Sequence, residues 1–369
     1  MPTWPVDIQA IKSRPPKIIR DYLVPMPSHL LTTTLDDLLL HTPPAPSPSS
    51  SSSSSPPASS SPPAASSSSS PAVNLPQGHH LVYFPLQTPA SKLSPDGADK
   101  DHAPNEEFTK RLWAGGQVRF HNRNRHGNEN DRHPGLVLDA RPWVCREEIG
   151  DVRLVKGDAG GKEKVFVDVW RRYALGHDGN PEEWDIEERR TLVFMRKTDD
   201  ADNEPQEAPT GRLVKYAHAP THSASLVPTP AHLFHFSALT YNAHAIHIDP
   251  LYARSQDGHR ALLVHGPLTL ALMLRVLNDH VNPSSRGLAA GGGVVKSIVY
   301  RNYAPLYVGE EIKVCVRRAK RGAGAGAAKN GEEEDEEDEE AWDVWVEGPE
   351  GGLAVKGSVV VDAKRANSS

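Results

Sequence analysis

Asn242, His244 and His247 crowd into six positions, and His265-Gly266-Pro267 follows at the head of an apolar run. An imidazole with an ordinary pKa of about 6.5 can give or take a proton near neutrality, so His247 is a candidate acid/base group, and His244 is either a second one or a positioning donor. Asn242 can orient a water or a hydroxyl through its amide, but it cannot act as a base. Pro267, read as a first helical residue, leaves the neighbouring backbone N–H groups without intrahelical acceptors. Gly266 has no Cβ, so its N–H near a helix N-terminus can approach and stabilise a developing oxyanion. His265 has two open readings, lining the same site or capping the helix. The set suits proton transfer on a carbonyl substrate. Asp249 and Pro250 are read as fixing the loop after His247.

The elements that must hold these groups are a helix and several strands. Leu268 to Leu277 is mostly apolar, lacks internal Gly or Pro and follows Gly266-Pro267, which reads as one buried helix. Ile312, Val314 and Val316 alternate with other residues, as do Trp342, Val344 and Val346, giving a hairpin whose long tip carries the run Glu332 to Glu340. Val294 to Tyr300 and Leu353 to Val361 also read as strands. In the earlier half, strands are expected over Gly116 to Phe120, Val152 to Lys156, Val165 to Trp170 and Thr191 to Met195, with no comparably clear central helix. Periodicity alone gives an α+β protein.

The 369 residues exceed one average domain, and two medium ones are expected. Pro43 to Pro71 is almost wholly Ser, Pro and Ala, which cannot bury enough apolar surface to fold. A net charge of −6 gives no reason to expect nucleic acid or an anionic membrane as partner. Cys145 and Cys315 are the two cysteines, which fits a reducing compartment and excludes a cysteine-rich zinc or disulfide framework. No apolar run approaches the roughly 20 residues of a membrane span. Neither G-x-S-x-G nor a phosphate-loop pattern occurs, and the other histidines (His79, His80, His121, His126, His133 and His177 among them) form no metal-ligand motif. Lys12, Arg14, Lys17 and Arg20 against Asp7 and Asp21 give the N-terminus a mild basic bias compatible with a mitochondrial address, with the cytoplasm as the alternative.

The segment from Phe236 through Ser237, Thr240, Tyr241, Asn242, His244 and His247 to Asp249-Pro250, with His265-Gly266 after it, resembles the signature of the MaoC-like, hydratase-2 branch of the hot-dog superfamily. Thr240 to His247 also fits the T-[FY]-N-x-H-x-I-H form of the fungal hydroxyacyl-thioester dehydratase type 2 and mesaconyl-CoA hydratase group. Further similar stretches, in order, are Arg20 to Leu23, Pro25 to Leu31, Leu75-Pro76, Val82 to Pro85, Arg111 to Gly116, Glu188 to Phe194 and Pro305 to Glu310. They cover most of the chain outside its low-complexity inserts.

The resemblance implies a double hot-dog, in which curved antiparallel sheet wraps a central helix and the first half is degenerate. The expected organisation is an N-terminal segment open to a targeting role (1–42), the Ser/Pro/Ala-rich insertion (43–71), the degenerate first half (72–225) and the site-bearing second half (226–369) with an acidic loop over 320–340. It further implies a hydro-lyase that interconverts (R)-3-hydroxyacyl and trans-2-enoyl thioesters of CoA or acyl-carrier protein, with no metal or redox cofactor. His247, Asn242 and His244 are then the catalytic set, and Gly266, His265 and Arg301 bind the oxyanion or substrate. Arg301, Asn302 and Tyr303 are candidates for a CoA phosphate or pantetheine, and Trp113 to Gly116 for an acyl tunnel or simple packing. Asn242 departs from the usual hydratase-2 pattern, standing where its catalytic aspartate is found, which would move most proton transfer onto His247. Three rival readings stay open. One is a hydratase of a dicarboxylyl-CoA such as mesaconyl-CoA, with Arg301 or Arg275 holding the carboxylate. The others are a hot-dog thioesterase and a non-catalytic thioester-binding subunit. A homodimer stands as an open expectation.

Overall fold

The computed structural model of the chain describes residues 6–40, 73–121, 136–156, 163–177, 184–196, 214–282, 294–319 and 339–363. The 43–71 insertion lies outside the described residues. So does the acidic loop, apart from Ala319 at its edge and Glu339 and Glu340, which open a strand.

In chain order the first half contains α1 (Ile8–Lys12), β1 (Lys17–Tyr22), α2 (Pro25–Leu40), β2 (Lys110–Phe120), β3 (Pro142–Val155), β4 (Lys164–Leu175) and β5 (Ile186–Met195). The second contains β6 (His222–Leu226), α3 (Pro230–Leu239), α4 (Pro250–Ser255), α5 (Gly266–Val281), β7 (Val295–Asn302), β8 (Ile312–Arg318), β9 (Glu339–Glu347) and β10 (Leu353–Asp362). All pairings are antiparallel, in one ten-stranded sheet of order β1-β3-β4-β5-β2-β7-β10-β9-β8-β6. The first five strands run 1-3-4-5-2 and the last five, read from the other edge, run 6-8-9-10-7. The two halves therefore repeat one topology and meet at β2 and β7, where Gly116 faces Tyr300 and Val118 faces Ile298. This is a double hot-dog.

Local sequence explains the strands. Val165, Val167 and Val169 of β4 alternate onto a buried face, as do Val314 and Val316 of β8 and Val344 and Val346 of β9. α5 is apolar nearly all round because it is enclosed. It packs against β6, β7, β8 and β9 and, across the seam, against the 3-10 turn His79–Val82 of the first half. Leu268, Leu270, Leu272, Leu274 and Leu277 are all fully buried, and truncating any one to alanine costs about 2–5 kcal/mol.

Three expectations change. Residues 17–40 belong to the folded first half: β1 pairs with β3 along its length, and α2 buries Leu31, Leu35 and Leu38 in the main core. Lys17 and Arg20 of the basic stretch thus lie in a sheet strand. Likewise, β6 begins at His222, so the second half's sheet starts before 226. α2 holds the chain position that α5 holds in the second half, but it packs on α3, β6 and the His79–Val82 turn. The expectation of no central helix in the first half holds at the level of packing, because α2 leans on its neighbour's elements. β3 is also longer than expected. Its segment Arg146-Glu147-Glu148 breaks the apolar alternation, yet these residues stay in the sheet because Arg171 and Arg172 of β4 pair with the two glutamates.

Candidate active site

The site is built by one continuous stretch after α3. Thr229 caps α3 in a capping box with His232, and Pro230 opens the helix. The helix ends at Thr240, and Tyr241 turns the chain with φ of 52°. Asn242 then makes an Asx turn, its Oδ1 accepting the His244 N–H at 3.1 Å, which fixes where His244 emerges. A 3-10 turn, Ala245–His247, follows, and Asp249 caps α4 by accepting from the N–H groups of Leu251 and Tyr252. Asp249 thus has the loop-fixing role expected of it.

His247 is held by a single decisive bond. Its Nδ1 lies 2.8 Å from the carbonyl oxygen of Leu263. A carbonyl only accepts, so Nδ1 carries the proton and Nε2 keeps its lone pair. The Leu263 strand segment is itself pinned, donating to Ile246 O while Val264 donates to Leu306 O. The His265 ring stacks on His247 with centroids 3.7 Å apart, and the His244 ring meets it edge-on at 5.6 Å. Burial, and then the neighbouring His265 and His244, push the His247 pKa well below the usual value, against the Leu263 bond, which acts the other way. Burial likewise lowers His265 to about 3. Both rings are therefore neutral at pH 7.

His265 occupies the N-cap position of α5, but its side chain makes no capping bond. Its Nε2 instead sits 2.9 Å from Ser237 Oγ. Gly266 is the first helical residue and Pro267 the second, one place later than the sequence suggested. At that position the Gly266 N–H has no intrahelical acceptor. A Cβ on Gly266 would lie 2.8 Å from both Cβ and Cγ of Trp113, so the first half presses directly on the helix entry. Trp113 is fixed in turn, its indole N–H donating to Tyr300 Oη at 2.8 Å and its carbonyl accepting from Asn302 Nδ2 at 2.7 Å.

Asn242, His244, His247, His265, Gly266 and Arg301 line a single cavity of about 750 Å³. The same cavity continues into the first half, against Trp113, Phe166, Val169, Leu192 and Val193 of the sheet, where α2 does not pack. Charged groups on that side are mostly partnered. Arg171 lies 3.3 Å from Glu147, Glu147 lies 2.9 Å from His102, and Arg190 lies 2.7 Å from Glu188. Arg301 is exposed at the lining, stacks over Tyr303 and has no ion-pair partner among the described residues. Arg275 is absent from the lining. It is held by Asp36 at 2.9 Å and Asp279 at 2.8 Å, which removes it as a candidate carboxylate anchor.

Sequence reasoning passed over Asp96. It lies in a first-half turn, and its Oδ2 is 3.2 Å from His244 Nε2. The only local signal is Ser94-Pro95-Asp96-Gly97, which reads as a tight turn and nothing more. Of the other histidines, His79 meets Ser28, His80 faces Glu188 and His121 meets Glu187, while His126 and His133 lie outside the described residues.

The family model of hydroxyacyl-thioester dehydratase type 2 matches residues 78–308, which takes in part of each half and every residue of this site. The chain belongs to that family. As such it is a thioester dehydratase/hydratase. Its relatives include the mitochondrial hydroxyacyl-thioester dehydratase type 2 of Schizosaccharomyces pombe, 26% identical over 254 residues that cover 66% of this chain and 78% of the relative. Mesaconyl-C(4)-CoA hydratase of Chloroflexus aurantiacus is 29% identical over 240 residues, 63% of this chain and 71% of the relative. Among solved structures, a MaoC-like dehydratase from Phytophthora capsici superposes with a TM-score of 0.54 at 12% identity, covering 98% of this chain and 100% of that one, which speaks for the fold alone.

Proposed function

We propose that this protein hydrates trans-2-enoyl thioesters to (R)-3-hydroxyacyl thioesters and catalyses the reverse dehydration, within mitochondrial fatty-acid synthesis. The observation that carries the reading is the fixed tautomer of His247, with Nδ1–H given to Leu263 and Nε2 left as a base, in a cavity that also contains the helix-entry N–H of Gly266. In hydration, Nε2 takes a proton from water as the water oxygen bonds to C3. The C2=C3 pair moves toward the thioester carbonyl, whose developing negative charge is met by the Gly266 N–H at the positive end of α5. C2 then takes a proton from the site, so one water is consumed and no redox partner is needed. The amide of Asn242 orients the water.

The arm of the cavity inside the first half receives the acyl chain, and Arg301 meets an anionic part of the carrier. The mitochondrial setting is supported by the name of the S. pombe relative. A dicarboxylyl-CoA hydratase is the second reading. It is favoured by Arg301, a cation at the lining without a carboxylate partner among the described residues, and by the Chloroflexus relative. Thioester hydrolysis is disfavoured by Asn242, which cannot activate water as a carboxylate does.

The test is to supply crotonyl-CoA and mesaconyl-CoA separately, following enoyl-thioester absorbance with free thiol assayed in parallel. Loss of absorbance without thiol supports the hydratase, and the preferred substrate separates the two acyl classes. Thiol release, or no change with CoA and carrier-protein substrates alike, refutes it. Fractionation of the native cell tests the compartment.

A further inference from the structure

Resting on the hydratase reading, we propose that Asp96, carried across from the first half, is the carboxylate partner of His244 and makes that histidine the second proton carrier of the site. Asn242 stands where the usual hydratase-2 pattern has an aspartate, so the motif-bearing half brings no carboxylate of its own at that position. The geometry supplies one from elsewhere in the chain. Asp96 Oδ2 is 3.2 Å from His244 Nε2, both side chains are about 95% or more buried, and no other carboxylate is paired with His244 among the described residues.

The turn that delivers Asp96 is built to hold it there. Its Oδ1 accepts from the Ala98 N–H at 3.0 Å and from the Ser94 hydroxyl, leaving Oδ2 for the imidazole. Its backbone carbonyl accepts the Ala245 N–H at 2.7 Å, so the carboxylate is tied to the 3-10 turn that carries His247. Gly97 has φ of +76°, and a Cβ there would lie 2.1 Å from Ala243 O, so the two turns are in direct backbone contact. Burial would raise the Asp96 pKa, but the contacts with His244 and Ser94 outweigh it and hold it at about 2, so Asp96 is ionised at pH 7.

Two imidazoles in different surroundings divide the labour. His247 is enclosed with two other histidines and rests neutral, as a base. The Asp96 carboxylate, 3.2 Å from Nε2, holds the His244 ring in place, which suits His244 to pass a proton to C2. His247 accepts the water proton, His244 donates one to C2, and exchange between the rings or with solvent resets the pair. Asp96 is thus a positioning residue acting through His244. The titratable groups facing the pair are His247, His265, His259 and Tyr252 from the second half and Arg111 from the first.

The test compares Asp96→Asn, His244→Gln and the double variant. Asparagine keeps an Oδ1 acceptor for Ser94 and Ala98, so the turn is retained. For Asp96→Asn the expectation is a kcat loss of roughly 10²-fold with KM little changed. The double variant should be no slower than His244→Gln alone, since Asp96 acts only through that ring. The His244 ring proton resonances should shift in Asp96→Asn. That measurement stands even where no thioester is turned over, which separates failure of this inference from failure of the hydratase reading. Multiplying kcat losses in the double variant, or an unchanged His244 resonance, would overturn it.

Discussion

Substituting Gly266 by alanine separates its two roles, as helix-entry residue and as oxyanion donor. The residue has no left-handed φ, and alanine is well tolerated in a helix, so the change introduces no backbone penalty. What it introduces is a methyl group 2.8 Å from Cβ and Cγ of Trp113. Because one of the two clashing atoms is Cβ, no rotamer of Trp113 relieves the contact. The tryptophan backbone cannot easily retreat either, since β2 is bonded to β5 on one side and β7 on the other. The helix entry must therefore move, by about 0.6 Å to reach ordinary contact at 3.4 Å. Overpacking of this kind costs about 1–3 kcal/mol, which at roughly 2–4 °C per kcal/mol lowers Tm by several degrees.

The same displacement carries the Gly266 N–H away from the position of the thioester oxygen. Misplacement approaching 1 Å costs up to about 10²-fold, so kcat/KM for an enoyl-CoA should fall roughly 10- to 100-fold. Thermal unfolding and enoyl-thioester absorbance, measured on the same preparation, read the two effects. A lowered Tm with kcat/KM within twofold of wild type would remove Gly266 from the oxyanion site while leaving the packing argument intact. An unchanged Tm would refute the packing argument itself.

His247→Ala should abolish measurable turnover, with a kcat loss of at least about 10²- to 10⁴-fold and a retained far-ultraviolet circular dichroism spectrum; near-wild-type kinetics would remove the central claim. Arg301→Ala should raise KM for a CoA thioester by roughly two- to fivefold, an effect that shrinks with added salt, because this arginine is exposed. Arg275→Ala, whose guanidinium is held by Asp36 and Asp279 away from the cavity, should leave KM unchanged. Stability should fall between pH 7 and pH 5. Burial lowers His79 and His265 to about 3 and His80 to about 4 in the folded chain. The unfolded chain therefore binds more protons below pH 6.5, and each residue costs up to about 2 kcal/mol at pH 5. Glu147, Glu188 and Asp96, all held at about 2, add to the loss only below about pH 4.5. Equal Tm at pH 5 and pH 7 would contradict the buried neutral histidines.

The second half was legible because its signals are local. The run Leu268 to Leu277 is apolar on every side, and that became α5. The alternating valines of β8 and β9 bury one face. The six candidate site residues lie close in sequence or at element ends, and they gather in one cavity. The first half was harder to read because its elements take their meaning from distant partners. In α2, Leu31, Leu35 and Leu38 do recur at helical spacing, but three consecutive threonines and the further leucines at Leu30, Leu39 and Leu40 blur the stripe, and its burial comes from α3 and β6 some two hundred residues later. In β3, Glu147 reads as a strand breaker until Arg171 and His102 are placed beside it. The two halves share a strand order with no visible sequence repeat, since a shared topology constrains burial pattern and not residue identity.

The displacement of α2 accounts for the division of roles between the halves. A hot-dog sheet curves around a helix, and in the second half α5 fills that concavity with leucines. In the first half, α2 packs on α3 and β6, and the sheet face it leaves open becomes one wall of the cavity. Loss of that helix has therefore removed a packing element and supplied room for a substrate. The same half then reaches back over the seam twice, with Trp113 against Gly266 and with Asp96 against His244. The cavity, the wall at the helix entry and the carboxylate all depend on the register of β2 on β7. Mutations that loosen that seam, even where they touch no cavity residue, should lower turnover before they unfold the chain.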